Sequence, residues 1–522
     1  MRAGGAVRVL VVVILISAAI LWSVTINTKQ NCGGFSASEN YIVRDSNFTK
    51  VSEVEWTNGT SSNPILALVG SMGNAIVVIG DTDGDGSCEL VSTSSDQNET
   101  WLFQYERQGS LRLWEYDGNS FTLVDEKVWH GNNKTIGGYA NDVRIFEYNG
   151  NKYVITAGSI QSVPSYADIR IWRYSPNGFT FVSNYTWRHY SDKNSTANSV
   201  VVGDVNEDGV LEVVTGGEIS WKVGNNDNNT MGFLTVFRLN SDLTLTKLDE
   251  VIISDNEVYA TGISDVEIGD IDNSGSIEII AGGCYGFNDS GVERARASIS
   301  IWNFHDNLSK INEVQWIDME SCGVLDIVLY DFDHDEMYEI VSGGANKKLS
   351  VAGEIAVWSY DLQELARTQF FINPGGQPGN LNWDCFASDI EIWDFDGDGS
   401  EEIIATGASK GPPPPGASGN TFWGYLASFT FSGSSLVMDA KYYWLDKDLT
   451  HIMKADSADI DSDGTREIIT IGYTIQKIDN RQQMYAKIWV WKYVSTVPEI
   501  PYPWIFSVTA VFFAMVFKRR EI

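Results

Sequence analysis

The amino-acid sequence predicts an all-β chain, a seven-bladed β-propeller of four-stranded antiparallel blades, closed by an N-terminal strand and carrying an apolar segment at each terminus. Three observations predict it. An acidic loop recurs at a near-constant interval, and each loop is followed by strand-like segments in the same order. One such segment also stands alone ahead of the first loop, and the last unit lacks its counterpart.

The loops are DTDGDGSCE from Asp81, DVNEDGVLE from Asp204, DIDNSGSIE from Asp270, DFDHDEMYE from Asp331, DFDGDGSEE from Asp394 and DIDSDGTRE from Asp459. From Asp204 onward their first aspartates lie 66, 61, 63 and 65 residues apart. Asp81 and Asp204 are 123 apart, which leaves room for one hidden unit. NDVRIFEYNGNKYVITAG, from Asn141, is that unit, with its loop shortened around Glu147–Asn149. Self-similarity at such a period is the mark of a repeat architecture.

After each loop comes an apolar strand often ending in Gly, as in EVVTGG or EIIAGG. An alternating strand with a late aromatic follows: SLRLWEY from Ser110, ADIRIWRY from Ala167, GFLTVFRL from Gly232, ASISIWNF from Ala297, GEIAVWSY from Gly353, GYLASFTF from Gly424 and AKIWVWKY from Ala486. A last strand closes the unit, as in FTLVDEKVW from Phe121. Period-two alternation and β-branched content are strand signals, and four strands make one blade. The seventh unit ends after Tyr493 without its fourth strand, while FTKVSEVEW at Phe48–Trp56 matches FTLVDEKVW. The N-terminal segment is therefore expected to supply the outer strand of the last blade, tying the chain ends together and removing an open edge.

The organisation expected is residues 1–30 as a signal peptide or N-terminal anchor, 40–495 as propeller and 496–522 as a membrane segment or sorting tail. Val9–Val24 is uncharged and follows Arg2 and Arg8; Trp504–Phe517 is followed by Lys518, Arg519 and Arg520. Positive charge outside both apolar runs places both ends on the cytoplasmic side and the propeller outside the cell. Asn-X-Ser/Thr sites beginning at Asn47, Asn58, Asn98, Asn133, Asn184, Asn194, Asn228, Asn288 and Asn307 agree with a surface glycoprotein. The tail VPEIPYP, its apolar run and KRR resemble the C-terminal sorting signals read by exosortase- or archaeosortase-like enzymes, with Ile500 where those motifs carry Pro or Phe. A formal net charge of −33 excludes nucleic acid as a partner, which needs a basic face.

The pattern D-x-D-x-D-G-x-x-E presents side-chain oxygens at positions one, three, five and nine, with a glycine at six for the reversal. An oxygen-only, multidentate shell is what Ca²⁺ takes, and close carboxylates repel without a cation among them. Position twelve is Ser92, Thr215, Ala281, Ser342, Ala405 or Thr470, so the loops lack the distal Glu of an EF-hand, and strands rather than helices flank them. Up to six Ca²⁺ in structural roles are expected.

The loops resemble the FG-GAP repeat of integrin α-subunit propellers and related bacterial and archaeal surface proteins, over residues 40–495. By position the resemblance implies ligands Asp81, Asp83, Asp85 and Glu89; Asp204, Asn206, Asp208 and Glu212; and Asp270, Asp272, Ser274 and Glu278. It continues with Asp331, Asp333, Asp335 and Glu339; Asp394, Asp396, Asp398 and Glu402; and Asp459, Asp461, Asp463 and Glu467. The family commonly ends its loop in Asp where this chain has Glu, and Glu336 replaces the turn glycine.

The links on the opposite face are long: from Ser220, Cys284, Ile372 and Ala408. They and their neighbours carry Trp187, Trp221, Tyr285, Trp383 and Trp423, aromatics of the kind that anchor proteins or stack on sugars. Cys322 and Cys385 occupy equivalent places in adjacent units, which leaves a disulfide between them open. The chain has no HExxH, GxSxG or P-loop. Adhesion, or recognition of an extracellular protein or glycan, is thus expected, with a surface polysaccharide lyase or glycoside hydrolase as the alternative; no catalytic residue or organic cofactor site is assigned.

Overall fold

The computed structural model describes residues 41–45, 48–57, 68–101, 104–133, 136–160, 164–223, 227–254, 260–290, 292–317, 321–347, 351–372, 384–413, 421–478 and 481–493. Both apolar terminal runs, Cys32 and Trp383 lie outside them.

Strands β1 (Tyr41–Asp45) and β2 (Phe48–Trp56) precede the blades. Blade one is β3 (Leu68–Gly80), β4 (Cys88–Trp101), β5 (Gln104–Tyr116) and β6 (Phe121–Asn133). Blade two is β7 (Ile136–Tyr148), β8 (Asn151–Ile160), β9 (Tyr166–Ser175) and β10 (Gly178–Trp187). Blade three is β11 (Asn194–Gly203), β12 (Glu212–Val223), β13 (Asp227–Leu239) and β14 (Leu245–Ile253). Blade four is β15 (Gly262–Gly269), β16 (Glu278–Asp289), β17 (Val292–Phe304) and β18 (Leu308–Trp316). Blade five is β19 (Ser321–Tyr330), β20 (Glu339–Lys347), β21 (Val351–Trp358) and β22 (Glu364–Phe370). Blade six is β23 (Cys385–Trp393), β24 (Glu402–Gly411), β25 (Thr421–Phe431) and β26 (Leu436–Leu445). Blade seven has β27 (Leu449–Ala458), β28 (Glu467–Ile478) and β29 (Arg481–Tyr493).

The fourth strand of blade seven is β2, antiparallel to β29 from Phe48↔Tyr493 to Trp56↔Ala486, so the ring closes as the sequence predicts. Strand β1 pairs with β26 and gives blade six a fifth strand, which no sequence pattern announced. The hidden second unit turns on Asn149 and Gly150, both at positive φ (49° and 70°), the geometry an Asn-Gly hairpin favours.

Each blade is covered on both faces by its neighbours, which is why second strands read as runs such as EIIAGG rather than alternating. Trp489 and Trp491 of β29 are fully buried, and Trp444 of blade six packs 4.4 Å from Trp491. Burying such a ring contributes on the order of 1.5–3 kcal/mol. The residue at loop position twelve serves this core: Ser92, Ser342 and Thr470 accept the indole N–H of Trp114, Trp358 and Trp491 at 2.8, 3.2 and 3.0 Å.

Every innermost strand carries a β-bulge at the same place, for instance between Ile263 and Asp265 or Ala387 and Asp389. The bulge drives a carbonyl onto a glycine of the facing strand. A Cβ on Gly217, Gly283 or Gly407 would lie 2.1, 2.0 or 2.0 Å from the oxygen of Thr196, Gly262 or Phe386. The glycine at this one position, preceded by Gly, Ala, Thr or Ile in different blades, is therefore a steric requirement of the bulge.

Candidate metal loops and the ionic channel

Each acidic loop joins the first and second strands of its blade, so all six emerge on one face. The loop folds around its first aspartate. Asp204 accepts the N–H groups of Asp208 (3.0 Å) and Gly209 (2.8 Å); Asp270, Asp331, Asp394 and Asp459 accept the same two positions at 2.9–3.1 Å. Two left-handed residues make the reversal, for example Asn273 (φ 54°) and Gly275 (φ 90°). Glu336 takes φ 71° where the other loops have glycine, a conformation that costs a side-chain-bearing residue about 1–2 kcal/mol.

The ninth-position glutamate reaches back from the start of the second strand. Its Oε2 accepts the N–H of position two: Thr82 for Glu89 (2.8 Å), Ile271 for Glu278 (3.2 Å), Phe332 for Glu339 (2.9 Å), Phe395 for Glu402 (2.9 Å) and Ile460 for Glu467 (3.0 Å). This gathers carboxylate oxygens within 4.8 Å of one another in five loops: Asp81, Asp83, Asp85 and Glu89; Asp270, Asp272 and Glu278; Asp331, Asp333 and Glu339; Asp394, Asp396 and Glu402; and Asp459, Asp461 and Glu467. Asp335, Asp398 and Asp463 stand outside these groups and accept the N–H of position seven. Ser274 takes the fifth position in its loop and accepts the N–H of Ser276 at 3.3 Å. In the remaining loop Asn206 holds position three, and Arg238 pairs with Asp208 at 2.6 Å.

The donor set fits a hard divalent cation, and buried loop-glutamate oxygens without a hydrogen bond are consistent with one. Glu89 is 1% exposed; its Oε2 takes Thr82 and Tyr174, while its Oε1 has no hydrogen-bond partner. Both carboxylate oxygens of the fully buried Glu212 are likewise without one. Burial first, then the charges of Asp208 and Asp204, push Glu212 up to about 7; burial with the loop aspartates does the same for Glu278 and Glu402. A bound cation relieves both costs.

The sequence reading missed a second carboxylate system at the ring's centre. The residue after each bulge lines the axis, and in blades two, four, five and six it is Asp142, Asp265, Asp326 and Asp389. Each accepts a backbone N–H from the next blade: Asp142 from Val200 (3.0 Å), Asp265 from Ile327 (3.0 Å), Asp326 from Ile390 (3.0 Å) and Asp389 from Ala455 (2.7 Å). Asp456 takes Val78 (2.7 Å) and carries the relay back to blade one. Lys454 of blade seven contacts Asp326 and lies 2.8 Å from Asp389; Arg144 of blade two pairs with Glu267 of blade four at 2.8 Å. The signal was present: Asp265, Asp326 and Asp389 each stand five residues before their loop's first aspartate.

On the opposite face, Trp187 and Trp423 are core residues packed between blades, and Trp423 donates its indole N–H to Pro412. Trp221 and Tyr285 are half-buried. The links read as loops from Ser220 and Cys284 are instead extended hairpins, since β12 and β16 run on to Val223 and Asp289. Lys193 lies between the rings of exposed Tyr190 (4.1 Å) and Trp221 (4.2 Å), and Arg188 lies over Tyr166 (4.6 Å). His189 bridges Ser195 (3.0 Å) and Glu250 (2.9 Å) in the order of a nucleophilic triad, but Ser195 is fully buried and out of a substrate's reach. Cys88, Cys284, Cys322 and Cys385 are buried, and Cys322 and Cys385 are not joined to each other.

Fold and loops together define a seven-bladed propeller whose one rim carries several acidic clusters able to hold metal ions. No family model matches the chain, and no curated relative does. Among solved structures it is similar to the exotype rhamnogalacturonan lyase YesX, with 10% identity over 85% of this chain and 76% of that one and a TM-score of 0.41. It is also similar to the PL11 rhamnogalacturonan lyase of Bacillus licheniformis (14%, 82% and 72%, TM-score 0.39) and to the rhamnogalacturonan lyase YesW (13%, 64% and 73%, TM-score 0.32).

Proposed function

We propose that this chain is a calcium-clamped propeller, tethered to the cell surface through its terminal segments, that recognises an extracellular protein or glycan. The observation that carries the metal reading is the buried Glu89 oxygen without a partner beside Asp81, Asp83 and Asp85. Calcium suits the site because every donor is oxygen. The resemblance of the loops to FG-GAP repeats supports the same assignment. In this reading the metal is structural: it neutralises the hairpin bends on one rim and leaves the opposite rim to the ligand. Trp221, Tyr285, Tyr190, Lys193 and Arg188 form the recognition surface there, pairing flat apolar rings with cations on an otherwise acidic protein.

The test is binding on a glycan and protein array, with calcium and with EDTA, run beside a panel of polysaccharides assayed for cleavage. Calcium-dependent retention without new reducing ends or unsaturated products is expected. Chain cleavage would overturn the recognition reading in favour of a polysaccharide lyase or glycoside hydrolase.

A further inference from the structure

Six loops share one sequence pattern, yet the residue facing the ninth glutamate from the third strand differs among them. In blade one it is Glu115, opposite Glu89. In blade six it is the neutral Thr430, opposite Glu402. In blade seven it is Lys492, opposite Glu467. The ammonium of Lys492 is 2.7 Å from Asp461 and contacts Asp463; it lies at ion-pair distance, 3.3 Å, from Glu467 Oε1, an oxygen that has no hydrogen bond. It thus touches ligand positions three, five and nine of its own loop, while Asp459 is held by the N–H groups of Asp463 and Gly464. Arg238 in blade three does not do this. It reaches Asp208 alone, and Glu212 keeps both oxygens unpartnered.

We propose that Lys492 is a built-in cation that takes the metal's place in the seventh-blade loop, so that the blade closing the ring is held without metal while the other loops take it. This rests on the metal reading above. An ammonium at these distances and a divalent ion needing oxygens at about 2.3–2.6 Å compete for the same cage, and their like charges exclude joint occupancy. The placement has a structural logic. Lys492 lies on β29, whose other edge pairs with β2 at Thr49, so the residue that fills the loop sits on the strand that seals the propeller. A ring locked by a covalently attached cation stays closed when calcium is withdrawn, and metal loss then loosens the remaining blades without opening the seam.

The test counts bound calcium on the purified full chain by elemental analysis after gel filtration in calcium buffer. Lys492→Gln, in which the cage is freed, is expected to hold one ion more than the natural chain; Lys492→Arg should hold the same number as the natural chain. The reciprocal change, Glu115→Lys, puts an ammonium at the matching register of blade one and should lower the count by one. This substitution at a half-buried rim residue keeps the test valid should Lys492→Gln fold poorly. In EDTA, Lys492→Gln should melt below the natural chain, and calcium should restore the difference. Six ions in the natural chain, or a count unmoved by both Lys492→Gln and Glu115→Lys, would overturn the proposal while leaving the metal reading standing. A natural chain holding none would overturn the metal reading; a gain of one ion in Lys492→Gln would still support the role of Lys492.

Discussion

The rim loops and the central channel solve the same electrostatic problem in different ways. Both gather carboxylates where water cannot fully solvate them. In the channel, Asp265, Asp326 and Asp389 face a lysine and the backbone N–H groups of the next blade, so their compensation is internal to the chain. On the rim, among the described residues, Asp81, Asp83, Asp85 and Glu89 accept from N–H and hydroxyl groups of their own loop and from Tyr174, and one buried Glu89 oxygen has no hydrogen bond. The difference teaches that carboxylate clustering alone does not identify a metal site; the inventory of what already answers the charge does. The channel carries lysine, arginine and backbone donors of its own against its charge, whereas the rim clusters could hold a cation, with Arg238 and Lys492 reaching into two of the loops.

Breaking the channel's internal compensation should have the largest effect. Lys454→Met removes the cation shared by Asp326 and Asp389, leaving buried carboxylates uncompensated, and should cost about 3–5 kcal/mol in denaturant unfolding. Calcium should not rescue it. A rim change should behave differently: Asp81→Ala unties Gly84 and Gly86 and removes a ligand, for a loss of about 1–3 kcal/mol in calcium that becomes smaller in EDTA, where only the hydrogen bonds are lost.

The channel should also respond to pH. Burial, reinforced by Asp389, pushes Asp326 up to about 7, and burial raises Asp265 to about 6. A carboxyl whose folded pKa exceeds its unfolded value of about 4 favours the fold when protonated, so stability should rise as pH falls from 8.5 toward 6. Melting of the calcium-loaded protein checks this, and Asp326→Asn should flatten the rise. The smallest effect is a gain. Glu336→Gly relieves the left-handed residue of the fourth acidic loop and should stabilise by about 1 kcal/mol, provided the loss of the Asn273–Glu336 hydrogen bond at the surface is minor.

Much of this was legible because a repeat reports itself several times. The interval between aspartates counted the blades, and the stray FTKVSEVEW matched the strand missing after Tyr493. The loop ligands were legible because all lie within nine residues. What stayed hidden depends on a partner from elsewhere in the chain. Asp265 reads as an ordinary polar residue until the backbone of Ile327 is placed beside it, and Lys492 reads as strand surface until register puts it opposite Glu467. Trp187 and Trp423 read as surface anchors because alternation separates two faces of a strand without saying that both are covered. The reach of β12 and β16 beyond their glycines was missed because Asn- and Gly-rich stretches read as loops.

The central claim is that the rim loops are completed by calcium. It is tested most directly by the thermal unfolding of the purified chain followed across a calcium titration after EDTA treatment. Each occupied loop stabilises by about 2.7 kcal/mol at a hundredfold excess over its dissociation constant, so the melting temperature should climb steeply with calcium and fall again on chelation. A melting temperature that stays the same in EDTA and in millimolar calcium would contradict the account.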